Sequence, residues 1–207
     1  NNLIKSTKAY SILKSSLRSD IINLLNKNLS KKKKYNHLLR IAINKKNISI
    51  SLRKRITPSL NFNLKLVKLK RKKPEFKNLK YKEILKHLSK LNNSKTDIGL
   101  CSNKKIFETG TSNLLFVKKN KIYSPVNKFY NGITLKFLKA KIKRIIKKDI
   151  SIDSLKIYDE IILIGSGKGV ASVKTINQIK WKRKSLKFYK ILTKHYQSAI
   201  NKCSNYK

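Results

Sequence analysis

Five of the six glycines in this 207-residue chain stand at positions 110, 132, 165, 167 and 169, and two of the turns they mark could grip a phosphate. Gly132-Ile133-Thr134 opens a helical pattern, where unpaired backbone N–H groups and the helix dipole favour an anion. Ser166-Gly167-Lys168 follows the apolar run Ile161-Ile162-Leu163-Ile164 and could add a hydroxyl and further N–H donors. Taken singly, each reads as an ordinary tight turn, with phosphate binding the alternative. The better-known phosphate motifs fail. Ile162 stands where a P-loop needs its first glycine, and Gly169 replaces the Ser/Thr of that motif. A dinucleotide fingerprint fails at Val170, which occupies its third glycine position. Glu108 is the remaining candidate. It is one of only nine acids and falls between an apolar strand and the small polar turn Thr109-Gly110-Thr111-Ser112. It is either a surface strand residue beside a lysine or a buried carboxylate that needs a cationic partner. His37, His87 and His195 share no ligand spacing, and two cysteines cannot build a multi-cysteine zinc site. No metal is expected.

The elements that must position these groups read as mixed α and β. Leu13, Leu17, Ile21, Leu24, Leu25 and Leu29 mark an amphipathic helix over 10–29. Leu38 to Ile43 and Ile48 to Arg53 form a hairpin around Asn44-Lys45-Lys46-Asn47. Phe62, Leu64 and Leu66 alternate as a third strand, and the polar hinge Lys70 to Pro74 sets the expected boundary between domains 1–71 and 72–207. Tyr81, Ile84, Leu85, Leu88 and Leu91 predict a helix after the hinge. Two hairpins follow, Ile98–Cys101 with Ile106-Phe107, and Leu114–Val117 with Ile122-Tyr123. Gly132 then opens a helix placing Leu138, Ile142 and Ile145 on one face. Ile161 to Ile164 is a buried strand, Trp181 a closing strand, and Leu186 to Ile200 a final helix.

The charge is extreme, with 52 Lys+Arg against 9 Asp+Glu for a net +43. Yet the basic residues are 45 Lys and 7 Arg, and Lys, Asn and Ile together make up 93 of 207 residues. Their codons are built almost entirely from A and T, so an AT-rich genome explains most of the charge. Nucleic-acid readers concentrate charge and favour Arg for bidentate contacts; here Lys is scattered, leaving nonspecific RNA binding as the residual expectation. The chain is 40% hydrophobic, which excludes a disordered basic tail. No apolar run approaches the ~18 residues of a membrane helix. No signal peptide is visible, so a cytoplasmic or organellar location is expected. With no methionine and an Asn1-Asn2 start inside apparent structure, the true N-terminus is expected upstream.

Four ordered blocks resemble one family. Lys77-Asn78-Leu79-Lys80-Tyr81, Phe107 to Phe116, Tyr123-Ser124-Pro125 with Gly132-Ile133-Thr134, and Asp159 to Ser166 look like the fold-type IV pyridoxal-phosphate enzymes. These are also called class IV aminotransferases. The resemblance implies a small N-terminal α/β domain, a larger C-terminal pseudo-barrel domain, and a homodimer. It also implies roles. Lys77 would carry pyridoxal 5'-phosphate and move protons at the substrate α-carbon, which requires a neutral, desolvated amine. Tyr81 would reach the cofactor ring, and Glu108 would keep the ring nitrogen protonated. Ile133, Thr134, Ser166 and Gly167 would hold the phosphate. Within the family, Tyr81 four residues after Lys77 and the short Arg40–Lys77 segment resemble the aminodeoxychorismate lyase branch. That branch releases pyruvate and 4-aminobenzoate for folate biosynthesis. A branched-chain or D-amino-acid aminotransferase is the alternative; of other classes, a ribosomal or RNA-binding protein and an inactive remnant remain. Departures are also visible. The Arg expected near the first helix corresponds to about Asn2, the Arg after Gly-Ile-Thr is Leu135, and Ala171-Ser172 replaces Thr-Pro or Val-Pro. The family's substrate-binding residues have no assignable counterpart here.

Overall fold

A computed structural model describes residues 2–33, 35–142 and 144–203. They divide into two compact units: residues up to Arg55 with the segment Phe76–Leu79, and Ile56–Glu75 with Lys80–Cys203. The mixed α and β class read from the sequence is what the chain adopts.

The smaller unit carries helix α1 (Asn2–Ala9), helix α2 (Leu17–Asn28) and a hairpin of β1 (His37–Ile43) and β2 (Ile48–Lys54). The helix expected over 10–29 starts only at Leu17. Residues 10–12 instead close α1: the chain turns left-handed at Ser11 (φ 52°), and the N–H groups of Ser11 and Ile12 return to the carbonyls of Lys8 and Thr7. Leu17 and Ile21, one turn apart, are the buried positions of α2. In the hairpin, Ile43 pairs with Ile48, and Asn44 Oδ1 accepts the N–H groups of Lys46 and Asn47. An Asn side chain mimicking backbone is what closes that turn.

The larger unit is built on β3 (Phe62–Lys68), α3 (Lys82–Leu88), β4 (Thr96–Ser102), β5 (Lys105–Thr109), β6 (Asn113–Lys118), β7 (Lys121–Ser124), α4 (Ile133–Lys141), β8 (Ile145–Lys147), β9 (Glu160–Gly165), β10 (Gly169–Ile176), β11 (Trp181–Lys182) and α5 (Lys187–Asn201). Among the described residues its nine strands run in the order β5-β4-β3-β10-β9-β6-β7-β8, with β11 on β10. Because β3 pairs in parallel with both β4 and β10, residues 56–75 belong with this unit, and the compact units divide after Arg55 rather than at the 70–74 hinge. Strand β10 escaped the sequence reading although it is the hub of the sheet. Its residues Val170, Ala171, Ser172 and Val173 are small and lack a strong alternating pattern.

Strand β9 is apolar from Ile161 to Ile164 because those residues are covered on both faces. Ile161 and Leu163 join Phe62, Phe116, Tyr158 and Trp181 on one side. Ile162 and Ile164 join Leu115, Leu138 and Leu192 on the other, beneath α4 and α5. The helix expected to carry Leu138, Ile142 and Ile145 ends at Lys141. Ile142 is already extended (φ −110°, ψ 132°), and Ile145 enters β8, paired in parallel with β7. Consecutive β-branched residues beside a strand edge favour the sheet over another helical turn.

One acid fastens the last helix. Glu160 is fully buried, and its carboxylate accepts from Ser185 Oγ at 3.0 Å and from the N–H groups of Phe188 and Tyr189 at 2.9 Å each. These are the orphan donors of the α5 N-terminus, stabilised by a negative charge at the positive end of the helix. Glu160→Ala strands them, at a cost of about 2–4 kcal/mol. Thermal melts should show Tm lower by roughly 4–16 °C for a chain of this size. A shift below about 1 °C would remove Glu160 from the ledger of stability.

Candidate active site

Glu108 is buried, not a surface strand residue, and its cationic partner is Arg71. Arg71 Nε donates to Oε1 at 2.6 Å and Nη2 to Oε2 at 3.1 Å, a two-pronged contact with both side chains nearly sealed from solvent. Nη2 also donates to the Pro74 carbonyl, so the hinge delivers the arginine in one fixed pose. Desolvation pulls the Arg71 pKa down, but the hydrogen bond and charge of Glu108, with a smaller part from Tyr81, more than reverse this and raise it. Arg71 therefore stays cationic. Tyr81 caps the start of α3; its hydroxyl lies 3.5 Å from Arg71 Nη1, and its ring centroid 5.9 Å from the guanidinium carbon.

The two candidate phosphate turns meet at Ser112 and Asn113. Tyr130 N–H donates to Glu108 Oε2 at 3.1 Å, which draws the 130–132 segment toward the carboxylate. Asn113 Nδ2 donates to the Tyr130 carbonyl, and its Oδ1 accepts the Gly132 N–H at 3.2 Å. A Cβ at Gly132 would sit 2.8 Å from that Oδ1 and break the bond. Asn113 thus sets the start of α4, where Thr134 is buried and the side chain of Ile133 is exposed. Ile133 can act there only through its backbone N–H. On the neighbouring strand Asn113 pairs with Ile164, one residue before Gly165. A Cβ at Gly165 would come within 3.0 Å of Ser112 Oγ. The turn beyond it, 166–168, joins β9 to β10 and leaves Ser166 exposed. Thus Tyr81, Glu108, Thr134, Ser166 and Gly167 all lie in the larger unit, linked by a continuous set of contacts.

Lys77 lies in the smaller unit, on the segment Phe76–Leu79. Its backbone N–H donates to Ser6 Oγ of α1 at 3.0 Å, and Phe76 packs edge-on to Tyr10 with centroids 6.4 Å apart. The Lys77 side chain is exposed, in place of the desolvation expected from the resemblance. Arg71 is the partner of Glu108 that sequence reasoning missed. The signal was present: arginine is one basic residue in seven or so here, so an arginine inside Lys70-Arg71-Lys72-Lys73 is a departure from the bias.

The site can hold an anion and a protonated ring. A helix N-terminus and a hydroxyl-bearing turn suit a phosphate. A buried carboxylate held by Arg71 is the kind of group that keeps a ring nitrogen protonated. The residues present fit pyridoxal 5'-phosphate on this observation. Among the described residues no group of three or more His, Cys, Asp or Glu is placed to hold a metal, and no helix is long and apolar enough to cross a membrane. Cys101 is buried, and burial pushes its thiol up to about 12, so it stays protonated and inert.

A family model for amino-transferase class IV matches residues 1–176. No curated protein sequence matches the chain. Among solved structures, a putative 4-amino-4-deoxychorismate lyase from Legionella pneumophila superposes with a TM-score of 0.77 at 15% identity, covering 95% of this chain and 82% of that one. A branched-chain aminotransferase from Thermoproteus uzoniensis, solved with norvaline, gives 0.76 at 12% identity, with 96% and 76% covered. An aminotransferase from Brucella abortus, bound to the cofactor PLP, gives 0.71 at 17% identity, with 95% and 80% covered.

Proposed function

Because this chain belongs to the class IV aminotransferase family, with the fold-type IV architecture, we propose that it is a pyridoxal-phosphate-dependent enzyme acting at the α-carbon of a small amino substrate. The observation that carries the reading is the buried Glu108 carboxylate, oriented by Arg71 and bonded to the segment that leads into the Gly132-Ile133-Thr134 turn. Bound, the cofactor supplies an electron sink for negative charge developing at the α-carbon. The chain supplies the rest. Glu108 holds a proton at the ring nitrogen, and Arg71 pairs with that carboxylate and fixes its orientation. The N–H groups opening α4, with Thr134, Ser166 and Gly167, bind the phosphate. Lys77 holds the cofactor covalently through its amine and moves the proton at the substrate α-carbon. Tyr81 orients Arg71 from the side facing α3. A homodimer belongs to the same proposal.

For the reaction we favour aminodeoxychorismate lyase, on the Lys77-to-Tyr81 spacing and the short Arg40–Lys77 segment. A branched-chain or D-amino-acid aminotransferase is the second reading; the branched-chain aminotransferase from Thermoproteus superposes nearly as well as the lyase. Purified protein mixed with the cofactor should develop a visible absorption band that survives moderate salt, because scattered lysines lose phosphate to screening and a built site does not. Incubation with aminodeoxychorismate should then release pyruvate and 4-aminobenzoate. Formation of 2-oxo acids from branched-chain or D-amino acids instead selects the second reading. Loss of all cofactor at moderate salt would leave RNA binding as the better account of the +43 charge.

A further inference from the structure

Two ion pairs among the described residues are buried at both partners. One is Arg71–Glu108; the other, Lys168–Asp97, is not explained by the chemistry above. Asp97 on β4 is fully buried. Its Oδ2 accepts from Thr111 Oγ1 at 2.6 Å, Thr109 Oγ1 at 2.9 Å and Lys168 Nζ at 3.3 Å, while Oδ1 accepts the Ile98 N–H at 2.8 Å. Lys168 Nζ also donates to Thr111 Oγ1 at 2.9 Å and lies 5.6 Å from the centroid of the buried Phe62 ring. The Lys168 side chain is only 7% exposed, against 43% for Lys105 in the surface pair with Asp149.

Burying a lysine is costly, and an isolated buried pair adds little net stability, so its best-attested use is to fix register. The register fixed here is specific. Lys168 ends the turn that carries Ser166 and Gly167, while Thr109 and Thr111 belong to the turn directly after Glu108. One ammonium therefore ties the phosphate turn to the turn next to the carboxylate.

Resting on the cofactor reading above, we infer that Lys168, through Asp97 and Thr111, is a positioning residue that presets the 166–168 turn for the phosphate of the cofactor. Lys168 does not itself touch the phosphate; its ammonium is turned inward, onto Asp97. On the same turn Ser166 is exposed, while Lys168 anchors the turn inward. Without it the turn must be ordered on binding, and that cost appears only for ligands bearing the phosphate.

The test compares pyridoxal 5'-phosphate with pyridoxal, which has the same ring and aldehyde and no phosphate. Each is titrated at moderate salt by visible absorbance into the full chain and into Lys168→Met. Affinity for the phosphorylated form should fall roughly 10-fold or more, as for other supporting partners of a bound ligand. Affinity for pyridoxal should stay within about 3-fold of the parent's, since the ring end of the site is untouched. Lys168→Arg, which keeps the charge, should recover most of the loss. If Lys168→Met fails to fold because the buried Asp97 carboxylate is left without its counter-charge, the double variant Lys168→Met, Asp97→Asn removes both charges and should show the same phosphate-selective loss. Equal weakening of both ligands, or no weakening of either, overturns the inference. If the parent chain itself shows no salt-resistant band, the cofactor reading fails first and takes this one with it.

Discussion

Lys77→Ala is expected to lower turnover at least ~10⁴-fold, the upper end for losing a positioned proton-transfer group, with the covalent hold on the cofactor lost as well. The fold should survive. Lys77 is exposed, and its bond to Ser6 is made by the backbone N–H, which alanine retains. Substitutions of exposed side chains typically stay within about 0.5 kcal/mol of the parent, so a melt separates lost chemistry from lost structure. The direct measurement is borohydride trapping of the loaded chain followed by peptide mapping. With 45 lysines available, random modification would spread widely, whereas a built site places the pyridoxyl group on Lys77. Recovery of the label on Lys80, on Lys168 or across many peptides sinks the assignment. Lys80→Ala serves as the matched control, with turnover retained.

What the sequence disclosed and what it withheld divide by range. The Phe107 to Asn113 block was legible because a strand, a carboxylate and a glycine-bearing turn are adjacent in the chain. The turn at Asn44 and the start of α4 at Gly132 were legible for the same local reason. Arg71 was not, because its partner lies 37 residues away and it hides within a run of cations. The ammonium of Lys168 was hidden too. The sequence showed a turn residue with an N–H donor, while its partner Asp97 lies 71 positions earlier. Strand β10 was missed because its identity comes from neighbours β9 and β3, not from its own composition. Helix α4 was read as too long because Ile142 and Ile145 fit a helical period as well as they fit the strand that claims Ile145. In each case tertiary pairing decided between local options of similar standing. The lysine-, asparagine- and isoleucine-rich composition sharpens a different signal. Where lysine, asparagine and isoleucine fill every dispensable position, the exceptions carry information, and Arg71, Glu108 and the paired glycines 165 and 169 are such exceptions.

Glu108→Gln should still bind the cofactor yet lose turnover about 10²–10³-fold, the equivalent of about 2.7–4 kcal/mol for removing one preorganised electrostatic partner. A glutamine can hydrogen-bond the ring nitrogen, but it cannot hold that nitrogen protonated, so the ring loses its pull on electrons from the α-carbon. The same substitution has a structural consequence that the sequence alone did not suggest. Arg71 is left as a buried cation without its counter-charge, and breaking such a pair typically costs about 3–5 kcal/mol. A Tm lower by roughly 6–20 °C is the matching expectation. Kinetics must therefore be taken well below that transition, with folding checked at the assay temperature. Glu108→Asp separates the two effects. It keeps the charge for both Arg71 and the ring at a shorter reach, so it should be more stable and more active than Glu108→Gln. An unchanged kcat in Glu108→Gln, measured where the variant is folded, would exclude Glu108 from the chemistry and leave the Arg71 pair as a purely structural bond.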